Sequence, residues 1–211
     1  LFTVLGSVFF GFLFIGPTGR YIGLGLAKAM NGLYVYTNYK YFGFGGMVIG
    51  FIYPFMVLTG LHQGLLPIET QLITIIFKDF KHSFTWITPI ATVSNIAQGM
   101  AGVGMMFLLY KKAPITMSKA GSSAISANLG ITEPILFGIN LPAKFSLLAS
   151  AIASSIAGFW LGMTHTVANS IGSASWIGIV VQFDYVTNAN YAQYLADNKA
   201  SDLFPQLTPL I

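Results

Sequence analysis

The chain has 211 residues, 55% hydrophobic and 8% charged, with ten basic and six acidic side chains and a formal charge of +4. A soluble domain carries about 25% charged residues, so a chain with a mean hydropathy of +0.71 lies mostly in lipid or in a membrane-buried core. The scattered cations form no stripe, which excludes a nucleic-acid surface, and the lack of cysteine excludes disulfides and any thiolate or phosphocysteine chemistry within the chain.

The predicted elements follow in chain order. Residues 1–15 supply most of one crossing, since about 20 apolar residues span about 30 Å of hydrocarbon. No charge appears before Arg20 and no basic leader precedes the apolar run, so it reads as a transmembrane helix cut from a longer chain. The other end, Pro209-Leu210-Ile211, also reads as cut. Residues 16–40 mix Arg20, Lys28 and Lys40 with Tyr21, Leu24, Met30 and Tyr36. Sparse cations among apolar residues suit a helix lying at the interface.

A second crossing is expected over 41–60, where Gly43-Phe44-Gly45-Gly46 allows close helix packing. The stretch that follows, Leu61-His62-Gln63-Gly64-Leu65-Leu66-Pro67-Ile68-Glu69, is apolar but broken by glycine and proline. Lys78, Asp79, Lys81 and His82 form the densest charge cluster and belong in water or headgroups. A third crossing is expected over 83–110. It contains Pro89, Asn95, Gln98 and Gly99, and amides at that depth face protein or a wet cavity.

Residues 120–142 are rich in small side chains and interrupted at Gly130 and Pro134. Bare backbone polar groups against lipid cost several kcal/mol each, so a re-entrant hairpin shielded by protein is expected there. A further span is read over 145–163, then a Ser/Gly/Asn-rich stretch, then a polar loop over 184–202. The fold class expected is an all-α, multi-span membrane bundle with re-entrant hairpins.

Three ionisable groups stand in apolar sequence: His62, Glu69 and Glu133. A carboxylate at mid-membrane costs about 2.5–3.5 kcal/mol on insertion scales, so it normally faces a polar cavity. Its alternative duty is to cap a broken helix. Glu133 follows Thr132 and precedes Pro134, and Asn128 and Asn140 lie close by in sequence. Such a set suits sugar hydroxyls, each of which needs a partner when buried. A metal site is not indicated, since no His or carboxylate cluster surrounds Glu133. His62 either meets a sugar hydroxyl or bonds a backbone carbonyl of its own hairpin. Glu69 either shares a face with His62 or marks the membrane edge near Lys78. Asn95 and Gln98, three residues apart, share a helix face and either line the cavity or bond a neighbouring helix. His165 reads as structural. No nucleophile–base pair or metal set marks an intramembrane enzyme. An ion-coupled sugar carrier remains the alternative class, since broken hairpins with a buried carboxylate also serve that mechanism.

Three stretches resemble signatures of the membrane (IIC) component of bacterial sugar phosphotransferase systems, glucose superfamily. They are Gly130-Ile131-Thr132-Glu133-Pro134-Ile135-Leu136-Phe137-Gly138-Ile139-Asn140-Leu141-Pro142, Thr59-Gly60-Leu61-His62-Gln63-Gly64-Leu65-Leu66-Pro67-Ile68-Glu69-Thr70-Gln71-Leu72, and Ser94-Asn95-Ile96-Ala97-Gln98-Gly99. The Pro67–Leu72 stretch looks more like sucrose and trehalose members than glucose members. Gln63 stands where many members carry a second histidine, leaving His62 alone.

The resemblance implies a dimeric ten-helix fold in the bacterial inner membrane. Residues 1–15 would be the last helix of a scaffold domain, 16–40 an amphipathic linker, and 41–211 a transport domain without its final helix. It implies sugar translocation coupled to phosphorylation by a phosphocysteine on a IIB domain, fused or separate. The chain would need no cofactor and carry no catalytic residue of its own. Substrate-binding residues are expected at Glu133, His62, Thr132, Asn95, Gln98, Asn140 and Glu69.

Overall fold

The computed structural model describes residues 43–80 and 83–179, with positions 21, 25, 32, 34 and 37. The expected span 1–15, most of the linker and the loop over 184–202 lie outside the described residues, as do the side chains of the 78–82 charge cluster. Among the described residues the regular structure is helical, apart from one isolated antiparallel bridge between Thr85 and Ala168.

Helix α1, Phe44–Thr59, ends at Gly60, whose φ of +77° is a left-handed cap. A 3-10 turn, Leu61–Gly64, then leads into α2, Leu65–Phe80. The axes on either side of the turn differ by 109°, so the stretch expected to follow a crossing bends sharply away from it. Helix α3, Ile87–Leu108, has 22 residues, enough for about 33 Å at 1.5 Å per residue. Helix α4, Pro114–Asn128, begins with proline at its first position, where the missing N–H costs nothing. After the turn at Gly130 come α5, Glu133–Ile135, and a π-helical turn, Leu136–Asn140. Helix α6 is Phe145–Met163. Both α3 and α6 are long and apolar enough to cross a membrane, and α1 with its bent continuation makes a third candidate. Among the described residues the architecture is helical, with helices of membrane-spanning length and apolarity, as expected.

Helices α1 and α6 meet through glycines. A Cβ on Gly46 would strike the Gly158 carbonyl and one on Gly158 the Gly46 carbonyl, while a Cβ on Gly50 would strike the carbonyl of Ser154. Small residues at these spacings bring two backbones together, the device that membrane helices use where no hydrophobic drive separates protein from lipid. On α6 the inward positions Ser146, Ser150, Ser154, Gly158 and Gly162 recur every four residues, and Leu148, Ile152, Ile156 and Trp160 point outward. Helix α6 closes with the two bonds of a Schellman end, Thr166 N–H to Leu161 and His165 N–H to Gly162. His165 holds the left-handed position at φ +52°, and burial lowers its pKa below the ordinary histidine value. That position fits the structural reading of His165.

The 120–142 stretch forms a hairpin, with one correction. The chain turns at Gly130, whose φ is +102°. Pro134, expected as a second break, instead sits in the first turn of α5, where a helix tolerates it. Ala120, Ala124 and Ala127 of α4 pack on Ile135 and Ile139 of the return segment and on Met105 of α3. The shielding is one-sided, because Ile125, Leu129, Ile131 and Phe137 stay exposed.

A second core joins α1, α2 and the start of α3 through Tyr53, Val57, Leu65, Ile68 and Ile90. Trp86 belongs to it and stacks on Tyr34, ring centroids 4.0 Å apart. The Thr85–Ala168 bridge and a 2.6 Å bond from Ser83 Oγ to the Asn169 carbonyl tie the entrance of α3 to the loop after α6.

Candidate functional site

One cavity of about 210 Å³ lies where both broken stretches meet the first half of α3. From α1 come Tyr53 and Val57, from the 3-10 turn His62 and Gln63, from α2 Glu69, and from α3 Thr88 and Asn95. The turn before α5 supplies Gly130, Thr132 and Glu133, and the loop after α6 supplies Ile171, Gly172 and Ala174. Five of the seven residues singled out from sequence therefore share one cavity: His62, Glu69, Asn95, Thr132 and Glu133.

Glu133 is exposed and its carboxylate makes no hydrogen bond among the described residues. Its backbone is fixed. Gly130 N–H bonds the Ala127 carbonyl at 2.9 Å and Ile131 N–H bonds Ser126 at 3.0 Å. Leu136 N–H bonds the carbonyl of buried Thr132 at 2.9 Å. The turn thus presents a free carboxylate from a rigid frame.

His62 has both ring nitrogens engaged. Nδ1 lies 3.4 Å from the Met56 carbonyl, and Nε2 lies 3.1 Å from the side-chain amide nitrogen of Gln63. The carbonyl can only accept, so Nδ1 carries the proton and Nε2 presents its lone pair, where Gln63 donates. One nitrogen bonds the Met56 carbonyl of its own hairpin, as one sequence alternative has it, and the residue also lines the cavity.

Glu69 is 3% exposed. Its Oε1 accepts from Thr85 Oγ1 at 2.7 Å, from Thr88 Oγ1 at 2.6 Å and from Thr88 N–H at 3.0 Å. Thr88 is the second residue of α3, so a carboxylate from a different element satisfies one of that helix's open amides and complements its dipole. The clasp joins α2 to α3 across the cavity wall. The general alternative for such a carboxylate, capping a helix, describes this duty, although the alternatives specific to Glu69 did not name α3.

Asn95 and Gln98 part company. Asn95 lines the cavity and donates 2.9 Å to the Ala174 carbonyl, holding the loop after α6. Gln98 is fully buried away from the cavity, and neither of its amide atoms has a partner. Three residues turn a helix through 300°, so the two side chains diverge by about 60°, and the cavity edge falls between them. Asn140 is also fully buried outside the cavity. It donates 3.3 Å to the Gln98 backbone carbonyl and accepts from Ser146 at 2.8 Å. The π-helical turn shifts the register of Asn140 and aims it at α3.

Sequence reasoning missed Tyr53, Gln63 and Thr88. A signal for Thr88 existed: a buried carboxylate needs several donors, and the start of α3 offers hydroxyls and open amides together.

The family model "Phosphotransferase system, EIIC" matches residues 1–180. The chain is 37% identical over 180 residues to the "PTS system sucrose-specific EIIBCA component" of Pediococcus pentosaceus, covering 85% of the chain and 26% of that protein. It is 35% identical over 191 residues to the sucrose-specific EIIBC component of Bacillus subtilis (strain 168), covering 90% and 39%. It is 37% identical over 174 residues to the trehalose-specific EIIBC component of Escherichia coli (strain K12), covering 82% and 34%. The chain thus spans between about a quarter and two-fifths of the length of these curated relatives. No solved structure matches it. A match over most of the chain, with the same signatures now gathered around one cavity, gives a plain result: the chain belongs to the EIIC family of the phosphotransferase systems.

Proposed function

We propose that this chain is the sugar-holding part of an EIIC permease that carries a disaccharide across the bacterial inner membrane in step with its phosphorylation by an EIIB domain. One observation carries the reading. Residues from separate stretches, His62, Glu69, Asn95, Thr132 and Glu133, line a single cavity whose polar groups suit hydroxyls. Relatives named for sucrose and trehalose support a disaccharide. Their EIIBC and EIIBCA composition supports an EIIB partner. We extend the proposal to a multi-pass homodimer with a scaffold helix over 1–15, a linker over 16–40 and a transport domain from 41, as the resemblance implies.

The cavity is smaller than the roughly 300 Å³ at which small-molecule pockets usually begin. One sugar ring occupies it and the second extends toward its open side. Glu133 accepts from ring hydroxyls through charge-assisted bonds. His62 receives a hydroxyl at Nε2, trading the Gln63 amide for the sugar. Phosphoryl transfer forms a sugar O–P bond, breaks the EIIB–P bond and releases the hydroxyl proton. We assign His62 to binding rather than to accepting that proton, because the donor domain brings its own chemistry. Gln98 and Asn140 take a packing role in this reading.

The test is Glu133→Gln in the intact transporter, with sucrose and trehalose titrated by calorimetry. Loss of a charge-assisted bond costs about 1.5–3 kcal/mol, which takes binding below detection for a weakly held sugar while the protein stays folded and inserted. Wild-type affinity in this variant overturns the assignment. His62→Gln separates the two histidine roles. Binding and phosphorylation fall together if His62 binds, and phosphorylation alone slows if it takes the proton.

A further inference from the structure

We propose that Tyr53 and Glu69 form a second hydroxyl-reading wall of the cavity, in which Glu69 spends one oxygen on structure and offers the other, together with the Tyr53 hydroxyl, to a sugar hydroxyl other than those that Glu133 holds. This rests on the reading of the cavity as a sugar site and adds a specificity-determining pair to it.

The observation is an asymmetry within one carboxylate. All three hydrogen bonds to Glu69 end on Oε1, from Thr85 and twice from Thr88. Oε2 has no partner among the described residues, although Glu69 is 97% removed from solvent and lines the cavity. Oε2 is not among the fully buried unpartnered atoms, so it keeps some open surface at which a donor in the cavity can reach it. Tyr53 shows the same pattern. It is 7% exposed, lines the cavity, stands within electrostatic reach of Glu69 and makes no hydrogen bond among the described residues. A phenol hydroxyl both donates and accepts, and a carboxylate oxygen accepts. A sugar hydroxyl donating to Glu69 and accepting from Tyr53 satisfies both groups together.

The anchoring makes the pair selective. Three short bonds fix the Glu69 side chain, so its free oxygen cannot follow a differently placed hydroxyl. A site built to bond a hydroxyl rejects an analogue that lacks it, because its own polar groups are then left unpaired. The wall therefore discriminates between sugars through one hydroxyl position, and it belongs to α1 and α2, elements separate from the turn that carries Glu133.

The experiment uses the intact transporter, the disaccharide (sucrose or trehalose) that the wild type binds, and its monodeoxy analogues. Glu69→Gln keeps an oxygen for the Thr85 and Thr88 donors and replaces the free oxygen with an amide. Affinity for the parent sugar falls about 10- to 100-fold. The decisive readout is coupling. One deoxy analogue is penalised in the wild type and loses that penalty in Glu69→Gln, and Tyr53→Phe shrinks the same penalty. Thr88→Val loosens the anchor and weakens all analogues in parallel, with a lower thermal midpoint. Should Glu69→Gln fail to insert, Tyr53→Phe alone decides, since phenylalanine keeps the packing. The inference is overturned if every deoxy penalty survives in both variants. If that happens while Glu133→Gln still abolishes binding, the sugar-site reading stands without this wall. If Glu133→Gln also binds normally, the reading of the cavity has failed instead.

Discussion

The two breaks that build the cavity look alike in sequence and differ in how they are held. The first, at Gly60 to Gly64, is open. A Cβ at Gly60 or Gly64 would meet nothing within 4 Å, and Leu61 and Gln63 are exposed. Its flanks are secured by buried Val57 and Leu65, but the turn itself leans on little. The second, at Gly130, is pinned. Ser173 Oγ lies 3.2 Å from where its Cβ would be, with Ala174 and Ser175 at 3.5 Å. Trp176 donates from its ring nitrogen to Asn128 Oδ1 at 2.8 Å, and its backbone N–H bonds the Asn128 carbonyl at 3.3 Å. The difference teaches a division of labour. The turn carrying Glu133 is held by the loop after α6, and the turn carrying His62 is held through its flanks.

The largest expected effect breaks the pinned turn. Gly130→Ala forces an L side chain into φ +102° and pushes a methyl toward Ser173. Strain of this kind costs about 1–3 kcal/mol. We expect a lower thermal midpoint and loss of sugar binding beyond what the stability change explains, because the shifted backbone carries Thr132 and Glu133. Calorimetry beside thermal unfolding measures both. Unchanged affinity means that the turn's rigidity does not serve the site.

A smaller effect comes from the strap over the same turn. Asn128→Ala removes the acceptor for the Trp176 ring and the 2.8 Å bond back to the Ala124 carbonyl. One or two partly exposed hydrogen bonds are worth about 0.5–1.5 kcal/mol each. Cross-linking or labelling between the loop after α6 and α4 should report a looser loop, with sugar affinity lowered severalfold. A loop equally tight in this variant shows that the remaining ties, Asn95 to Ala174, the Trp176 N–H to the Asn128 carbonyl and the Thr85–Ala168 bridge, suffice to hold it.

The two breaks were legible in sequence through their glycines, while Pro67 and Pro134, read as further breaks, sit in the first turns of α2 and α5; the spans were legible because lipid demands length and apolarity. The place of Glu133 on the cavity wall was legible for the same reason, since a lone carboxylate in apolar sequence normally faces a polar cavity. Glu69 was only half legible. Its donors lie 16 and 19 residues away on another element, and no local pattern shows that a tertiary contact brings them together. Gln98 and Asn140 lie off the cavity: spacing gives Asn95 and Gln98 a shared face but not the width of a cavity, and closeness to Glu133 in sequence does not say where Asn140 points. The π-helical turn at Leu136–Asn140 shifts the register by a residue that no composition signal marks. Gln63 stood out in sequence only as a departure from a histidine pair, and its bond to His62 was beyond reach without coordinates.

That bond gives the next test, now on the open turn. Gln63→Ala deletes the donor to His62 Nε2 and leaves Nδ1 on the Met56 carbonyl. A neutral, exposed hydrogen bond contributes about 0.5–1.5 kcal/mol, and the sugar must displace it from Nε2, so sugar affinity should rise about two- to tenfold. The thermal midpoint should barely move, since nothing packs on the turn. Weaker binding would instead mean that Gln63 orients the ring for the sugar rather than competing with it.

The smallest effect sharpens the comparison most directly, because it places the same substitution in the other turn. Gly64 ends the 3-10 turn, does not hold a positive φ, and has no atom within 4 Å of where a Cβ would sit. Glycine is not needed there for geometry or for space. Its main effect is to widen the unfolded ensemble, so Gly64→Ala should stabilise the protein by about 0.4–1 kcal/mol. Gly130→Ala, the identical chemical change at the pinned break, destabilises it. Sugar affinity in Gly64→Ala should match the wild type if the backbone around His62 already samples helical angles. If affinity drops while stability rises, the open turn must reach a glycine-only conformation during binding, and its looseness is then part of how the site closes on the sugar.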